Sequence, residues 1–220
     1  KENRLVGVVT VDDAMEVLTE EAEEDIQIMS AMSPSDDDYS NLSVFTLYKN
    51  RIVWLLFLML SATFTGLILN HYETAFASIP ILVSFIPMIM DTGGNCGSQS
   101  STSIICALAT GEIEAKDILK VWGKEALVAV LCGATLAIVN GIRIMIMYPD
   151  NPSKLILAFV VGLTLIATAL LAKSLGVILP IAAKKLKLDP AYMASPLITT
   201  IVDTVSLVIY FSIAVVVMAL

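Results

Sequence analysis

The chain is nearly without histidine and poor in charge. His71 stands alone, and only 15% of the 220 residues are Asp, Glu, Lys or Arg. A single histidine in a loop gives zinc no ligand set. The three cysteines, Cys96, Cys106 and Cys132, all fall within apolar stretches and read as small packing residues. Lys and Arg number 13 against 21 acids, so there is no basic footprint and no nucleic-acid partner is expected. No Gly-Lys-Ser/Thr phosphate loop occurs, so nothing points to ATP hydrolysis or to an enzyme. The first forty residues are polar and charged, unlike a signal peptide.

What remains is apolar. Hydrophobic residues make up 57% and the mean hydropathy is +0.83, above the ~45–50% of a soluble domain. Arg51–Asn70, Ser78–Ala109, Val121–Gly141, Leu155–Ile181 and Ala194–Leu220 are each long enough to cross a bilayer. The expected fold class is therefore an all-α membrane protein with five transmembrane helices. Lys49 and Arg51 precede the first span, Lys116, Lys120 and Lys124 follow the second, and Lys184, Lys185 and Lys187 follow the fourth. The opposite loops carry only Arg143 and Lys154. The positive-inside rule places the N-terminus in the cytosol and the C-terminus outside, in a multi-pass cell membrane protein.

Most of the acid lies before Lys49. Leu5 to Val11 reads as one short buried strand, which cannot fold alone; either the chain is a piece of a longer protein or the strand pairs with another subunit. Thr10 or Asp12 can cap the helix that follows, and Ser33-Pro34 ends it. Met15, Leu18, Ala22, Ile26 and Met29 form one apolar stripe, while Asp13, Glu16, Glu20 and Glu24 share the opposite face. Such a row repels itself unless neutralised. It is either a solvated face or a contact for divalent cations or a basic surface. Asp36, Asp37 and Asp38 form an acidic turn, and Ser43 can cap the helix entering the first span.

Inside the second apolar stretch lies Asp91-Thr92-Gly93-Gly94-Asn95-Cys96-Gly97-Ser98-Gln99. One straight helix across the whole stretch would be about 45 Å long, beyond the ~30 Å apolar core of a bilayer. The glycines and polar residues predict a break that faces protein or water. Asp91 and Asp203 are acids within spans and hence functional candidates. On an ideal helix Pro196, Thr199, Thr200, Ser206 and Tyr210 share the face of Asp203, as a pore-lining helix requires; a buried Asp bonded to neighbouring hydroxyls is the plainer reading. Lys173 either snorkels at the cytosolic edge of the fourth span or pairs with an acid inside the bundle. Carboxylates, an amide and carbonyls are hard oxygen ligands suited to Mg²⁺, Ca²⁺ or Mn²⁺, and Mg²⁺ would keep much of its water. One acid per chain is sparse, so two chains about a two-fold axis would suit such an ion.

The run Pro87 to Ser100 with Ala107-Leu108-Ala109-Thr110 resembles the second-span signature of the MgtE magnesium transporter and channel family. Asp189-Pro190-Ala191 and Pro196 to Asp203 match two further family segments. Arg4 to Asp13 is similar to the tail of a CBS domain, and Glu20 to Ile26 to the family's connecting plug helix. The resemblance implies a CBS remnant at 1–12, a connecting region at 13–48 and a transmembrane domain at 49–220. It further implies a homodimer of five-helix subunits around a central path that moves hydrated Mg²⁺ into the cytosol. Asp203 would bind the ion, with Asn95 and the backbone around Asp91 beside it and Gly93, Gly94, Thr199, Thr200 and Ser206 lining the path. Asp13, Glu16, Glu21, Glu24 and Asp25 would hold regulatory Mg²⁺. Some family members carry glycine where Asp91 stands. Two other readings are a proton- or sodium-coupled carrier using Asp91 and Asp203 and a non-transporting membrane scaffold.

Overall fold

Long apolar runs with few turn residues favour helices, and the computed structural model, which describes residues 7–35, 37–73 and 79–218, contains helices and turns alone among them. The parts of the sequence reading that fall on Arg4 to Val6, Asp36, Ser78 and Leu220 lie outside the described residues. The expected strand is not formed where it can be checked. Gly7 to Thr10 is exposed and irregular, and Val11 already starts a helix. A lone strand has no ladder partner, whereas Thr10 supplies a helix cap.

Helix α1 spans Val11–Met29. Thr10 accepts from the Asp13 backbone N–H, and the Asp13 carboxylate accepts from the Thr10 N–H and hydroxyl, closing a capping box. The helix stops one turn before Ser33-Pro34, at Ser30, and Ala31 follows with φ +54°. Gln27 then holds the connecting loop by bonding both backbone groups of Ser35. Ser43 caps α2, Val44–His71, through the Thr46 N–H.

Beyond the loop, Pro80–Phe85 forms a 3₁₀ turn that leads into α3, Ile86–Ala109. Gly111, at φ +74°, takes the left-handed conformation just past the end of α3, where Ala and larger residues are strained. The remaining helices are α4, Ile118–Met147, α5, Lys154–Lys185, and α6, Ser195–Met218, with a 3₁₀ turn at Pro190–Met193 before α6. Four segments are long and apolar enough to cross a membrane: Val44–His71, Ala115–Met147, Lys154–Lys185 and Pro190–Met218. With 24 residues α3 is long enough as well, about 36 Å, but it is the polar helix of the bundle.

The expected break is absent. Asp91 to Gln99 lies within the continuous helix α3. Glycine in a helix costs about 1 kcal/mol relative to alanine, and here the compensation is tertiary. A Cβ on Gly93 would lie 2.7 Å from both Thr168 and Val202 side chains, and one on Gly97 would lie 2.5 Å from Ile198. The glycines let α3 approach α5 and α6 instead of unwinding it.

Helix α5 is the centre of the bundle, packed against α3, α4 and α6. At one end Leu157, Val160, Val161 and Leu165 meet Ile89, Leu207 and Tyr210; at the other Val177 and Ile181 meet Ile104 and Leu108. Helix α2 buries no residue. It meets the bundle where Thr65 and Thr204 share a hydrogen bond of 3.0 Å and where Trp54 stacks on Tyr192.

Candidate cation site

The close seam between α3 and α6 sets the site. A Cβ on Gly94 would sit 2.9 Å from the Thr199 methyl, and one on Gly93 would sit 3.1 Å from Ser206 Oγ. Two turns of α3 are thereby held flat against α6. With its inner face filled by glycine, α3 turns its longer polar side chains outward.

Asp91, Asn95 and Gln99 are spaced four apart and all are exposed, so they form one row on α3. Asn95 Nδ2 donates to Asp91 Oδ2 at 3.1 Å, which orients the amide oxygen away from the acid. This row lines an open groove of about 500 Å³ whose other wall is Leu131, Cys132, Thr135 and Leu136 of α4. Asp203 of α6 is half-buried and close enough to Asp91 for the two charges to repel. Two acids and two amides thus gather around α3, and every donor is a hard oxygen of the kind that suits Mg²⁺, Ca²⁺ or Mn²⁺.

The expected site residues divide into two sets. Asp91 is bonded to Asn95 and near enough to Asp203 for their charges to interact, and Thr199 and Thr200 are half-buried one turn before Asp203. Both threonine hydroxyls donate to the Pro196 carbonyl at 3.0 and 2.9 Å, leaving their lone pairs as acceptors. Gly93, Gly94 and Ser206 are buried inside the subunit. They belong to the helix seam, not to the exposed polar row. Ser206 Oγ has no hydrogen-bond partner among the described residues. The face expected to line a path is half core, for Tyr210 is fully buried and donates to the Leu82 carbonyl at 2.9 Å. The backbone of Asp91 to Gln99 is engaged in its helix, and Ser98 Oγ adds a bond to the Gly94 carbonyl at 2.8 Å. Side chains, not unwound carbonyls, are what α3 offers an ion.

Gln99 was not singled out by sequence reading. Its signal was present in the four-residue spacing from Asp91 through Asn95, but the expected break hid the helical period. Glu125 was missed too. It is the acid that pairs with Lys173, at 3.3 Å, so the lysine lies inside the bundle and does not snorkel.

Among the acids of α1, Glu16, Glu21 and Glu24 are exposed. Asp13 is occupied by its capping box, and its bonds from Thr10 hold its carboxyl below the usual range. Asp25 is half-buried where α1 meets the Pro190–Met193 turn. Burial, then Asp189, then Glu21 push its carboxyl up. Asp25 and Asp189 share a cavity of about 210 Å³ with Lys184 and Leu108. Lys184 donates to the Leu108 carbonyl at 2.8 Å. No cluster of three or more His, Cys, Asp or Glu side chains positioned to hold a metal occurs among the described residues.

Fold and site together define a helical membrane bundle with an acid-and-amide row on its most polar helix. Residues 86–213 match the MgtE family of divalent cation transporters. The chain is 37% identical over 214 residues to the magnesium transporter MgtE of Thermus thermophilus and 35% identical over 212 residues to that of Bacillus subtilis. It is 31% identical over 213 residues to the magnesium transporter MgtE of Enterococcus faecalis. These alignments take in 96–97% of this chain and 46% of each relative, so the chain spans about half the length of the relatives it matches. The chain belongs to the MgtE family.

Proposed function

We propose that this chain is the membrane part of a Mg²⁺-preferring channel or facilitated transporter that acts as a homodimer of five-helix subunits. Hydrated Mg²⁺ passes inward along the polar row of α3, with Asp203 as the principal ligand and Asp91, Asn95, Thr199 and Thr200 beside it. Gln99 extends the row by one turn. Two subunits about a two-fold axis double the acids offered to one ion. The N-terminus is cytosolic and the C-terminus outside, in keeping with the lysines between α3 and α4 and between α5 and α6. The membrane potential contributes about 2.3 kcal/mol per charge per 100 mV, hence about twice that for a divalent ion.

One observation carries this reading: an exposed row of oxygen donors, Asp91–Asn95–Gln99, lines an open groove on α3, with Asp203 near its Asp91 end, in a chain of this family. Within the same proposal, residues 13–48 connect a cytosolic sensor to the membrane domain, and Mg²⁺ regulates the docking of α1. The support for regulation is the half-buried Asp25 at the α1 junction, disfavoured as an anion first by burial and then by the charges of Asp189 and Glu21.

The test is Mg²⁺ uptake into proteoliposomes under an imposed inside-negative potential, with Ca²⁺ and Mn²⁺ as competitors. The expected result is uptake that follows the Mg²⁺ gradient and the potential and is insensitive to an imposed proton or sodium gradient. Uptake that follows the proton or sodium gradient would replace the channel with a coupled carrier. Uptake no greater than that of empty vesicles would leave a scaffold.

A further inference from the structure

Three polar side chains from three helices meet inside the bundle. Lys173 of α5 is only 4% exposed. Its Nζ donates to Ser100 Oγ of α3 at 3.0 Å and pairs with the Glu125 carboxylate of α4 at 3.3 Å. Ser100, 1% exposed, donates to the same carboxylate oxygen at 2.5 Å. Lys173 precedes the end of its helix by twelve residues, about 18 Å along the axis. A buried pair of this kind is a poor way to gain stability, because apolar residues of similar volume usually do as well or better. Its better-attested use is to select one packing over its neighbours.

The neighbouring contacts need such a selector. One turn along α5 from Lys173, a Cβ on Gly176 would lie 2.7 Å from the Gly97 carbonyl and 3.0 Å from the Ser101 nitrogen. The backbones of α3 and α5 therefore meet across a glycine seam. Between the apolar contacts at either end of the α3–α5 interface, the glycine seam itself fixes the distance between the helices but carries no directional contact. Ser100 adds a directional contact there: it is the α3 member of the network, five residues from Asn95. On the far side of α3, Ser98 Oγ meets Ser195 Oγ of α6 at 2.7 Å, a contact sensitive to the same register.

We propose that Lys173, Glu125 and Ser100 form a positioning network that fixes the axial register of α3 and so sets the level of Asn95 and Asp91 against Asp203. The effect on ions rests on the proposed transport function; the effect on register does not. The experiment therefore has two readouts. In protein whose Cys96, Cys106 and Cys132 are replaced by alanine, Ser98→Cys with Ser195→Cys reports register through the rate of disulfide cross-linking under a mild oxidant. The K0.5 for Mg²⁺ uptake in proteoliposomes reports the ion row.

Ser100→Ala removes the α3 anchor and leaves the ion pair in place. It is expected to slow cross-linking at least threefold and to raise K0.5 at least threefold, with maximal uptake per folded protein changed less than twofold. Lys173→Met is expected to do the same, and Lys173→Arg, which keeps the charge and donors, to stay within twofold of the parent on both readouts. If Lys173→Met does not fold, Ser100→Ala still decides. Cross-linking at the parental rate in Ser100→Ala overturns the network, whatever uptake does. Slower cross-linking with unchanged K0.5 overturns its role at the ion row. Slower cross-linking in a protein whose parent shows no uptake supports the register claim and sinks the transport reading instead.

Discussion

Helices α1 and α3 both divide a row of acids and amides from a face of small or apolar residues, yet only α3 has that second face filled. On α3 the glycines of the second face press against Thr168, Thr199, Ile198 and Val202. On α1 the corresponding stripe stays open, with Met15, Leu18 and Ile26 each more than half exposed and Ile28 the one buried residue. Amphipathic pattern is thus common to both, and burial separates them. A polar row held against a packed seam has a fixed geometry and can select an ion; a row on an unfilled helix can only respond to what binds it. Under the proposed function this difference would assign regulation to the acids of α1 and conduction to those around α3.

The sharpest way to break the comparison is to fill the seam. At Gly176 a new Cβ meets backbone, which cannot turn aside as a side chain can. Gly176→Ala is expected to cost about 1–3 kcal/mol and to lower the thermal midpoint in detergent. Gly123 offers the control, since nothing lies within 4 Å of its Cβ position. Gly123→Ala is expected to be neutral or to gain up to about 1 kcal/mol from helix propensity. Equal midpoints for the two variants would show that α3 and α5 are not held by close approach.

Next comes the row itself. Asp203→Asn keeps the shape of the side chain and removes its charge. Loss of a charged oxygen ligand is expected to raise the K0.5 for Mg²⁺ about tenfold, equivalent to about 1.4 kcal/mol, with the thermal midpoint unchanged or raised because a repulsive neighbour of Asp91 is gone. Asp91→Asn, exposed and already bonded to Asn95, is expected to have a smaller effect. If Asp91→Asn exceeds Asp203→Asn, the principal ligand lies on α3 and not on α6.

Much of this bundle was legible from hydropathy. The starts of α4, α5 and α6 fall within three residues of the apolar runs, although α4 continues from Gly141 to Met147, and Ser43 and Thr10 were recognisable caps. The row on α3 was not. Gly93-Gly94-Asn95 has the composition of a turn, and the reason it is helical lies in Thr168, Thr199, Val202 and Ser206, far along the chain. Local propensity cannot report such a contact. The same holds for Lys173, whose sequence neighbours suggest a membrane edge while its partners come from α3 and α4. Ser206 shows the reverse error, for a helical wheel gives it the face of Asp203 but cannot tell exposed polar residues from buried ones.

A smaller effect is expected at the junction of the two regions. Asp25 is pushed up by burial and by Asp189 and Glu21, so docked α1 holds the Asp25 proton more tightly than undocked α1 does. Docking is then strongest below the ordinary carboxylate range and weakens as pH rises through it. Asp25→Asn removes the penalty. It is expected to slow proteolysis within 30–42 two- to threefold at neutral pH without Mg²⁺, and to abolish the protection that Mg²⁺ gives the parent. Protection by Mg²⁺ that survives in Asp25→Asn would move the regulatory contact to other acids of α1.

The smallest effect separates the helix of α1 from its docking. Asp13 is held below the usual carboxylate range by its bonds from Thr10. A depressed acid stabilises the folded form above its unfolded value, and the contribution is lost as pH falls through its folded one. The capping box should therefore hold the start of α1 at neutral pH and release it in acid. Thr10→Ala removes both the hydroxyl that accepts from the Asp13 N–H and one donor to the Asp13 carboxylate. Amide exchange over the first turn of α1 is expected to quicken severalfold at neutral pH and to show a weaker acid dependence, because the residue 10 N–H still donates to Asp13. Exchange near Asp25 and the K0.5 for Mg²⁺ should remain within twofold of the parent, because the first turn is exposed on all sides. A change in K0.5 would mean that the cap is read by the ion path, and α1 would then be part of the conducting machinery and not a responder outside it.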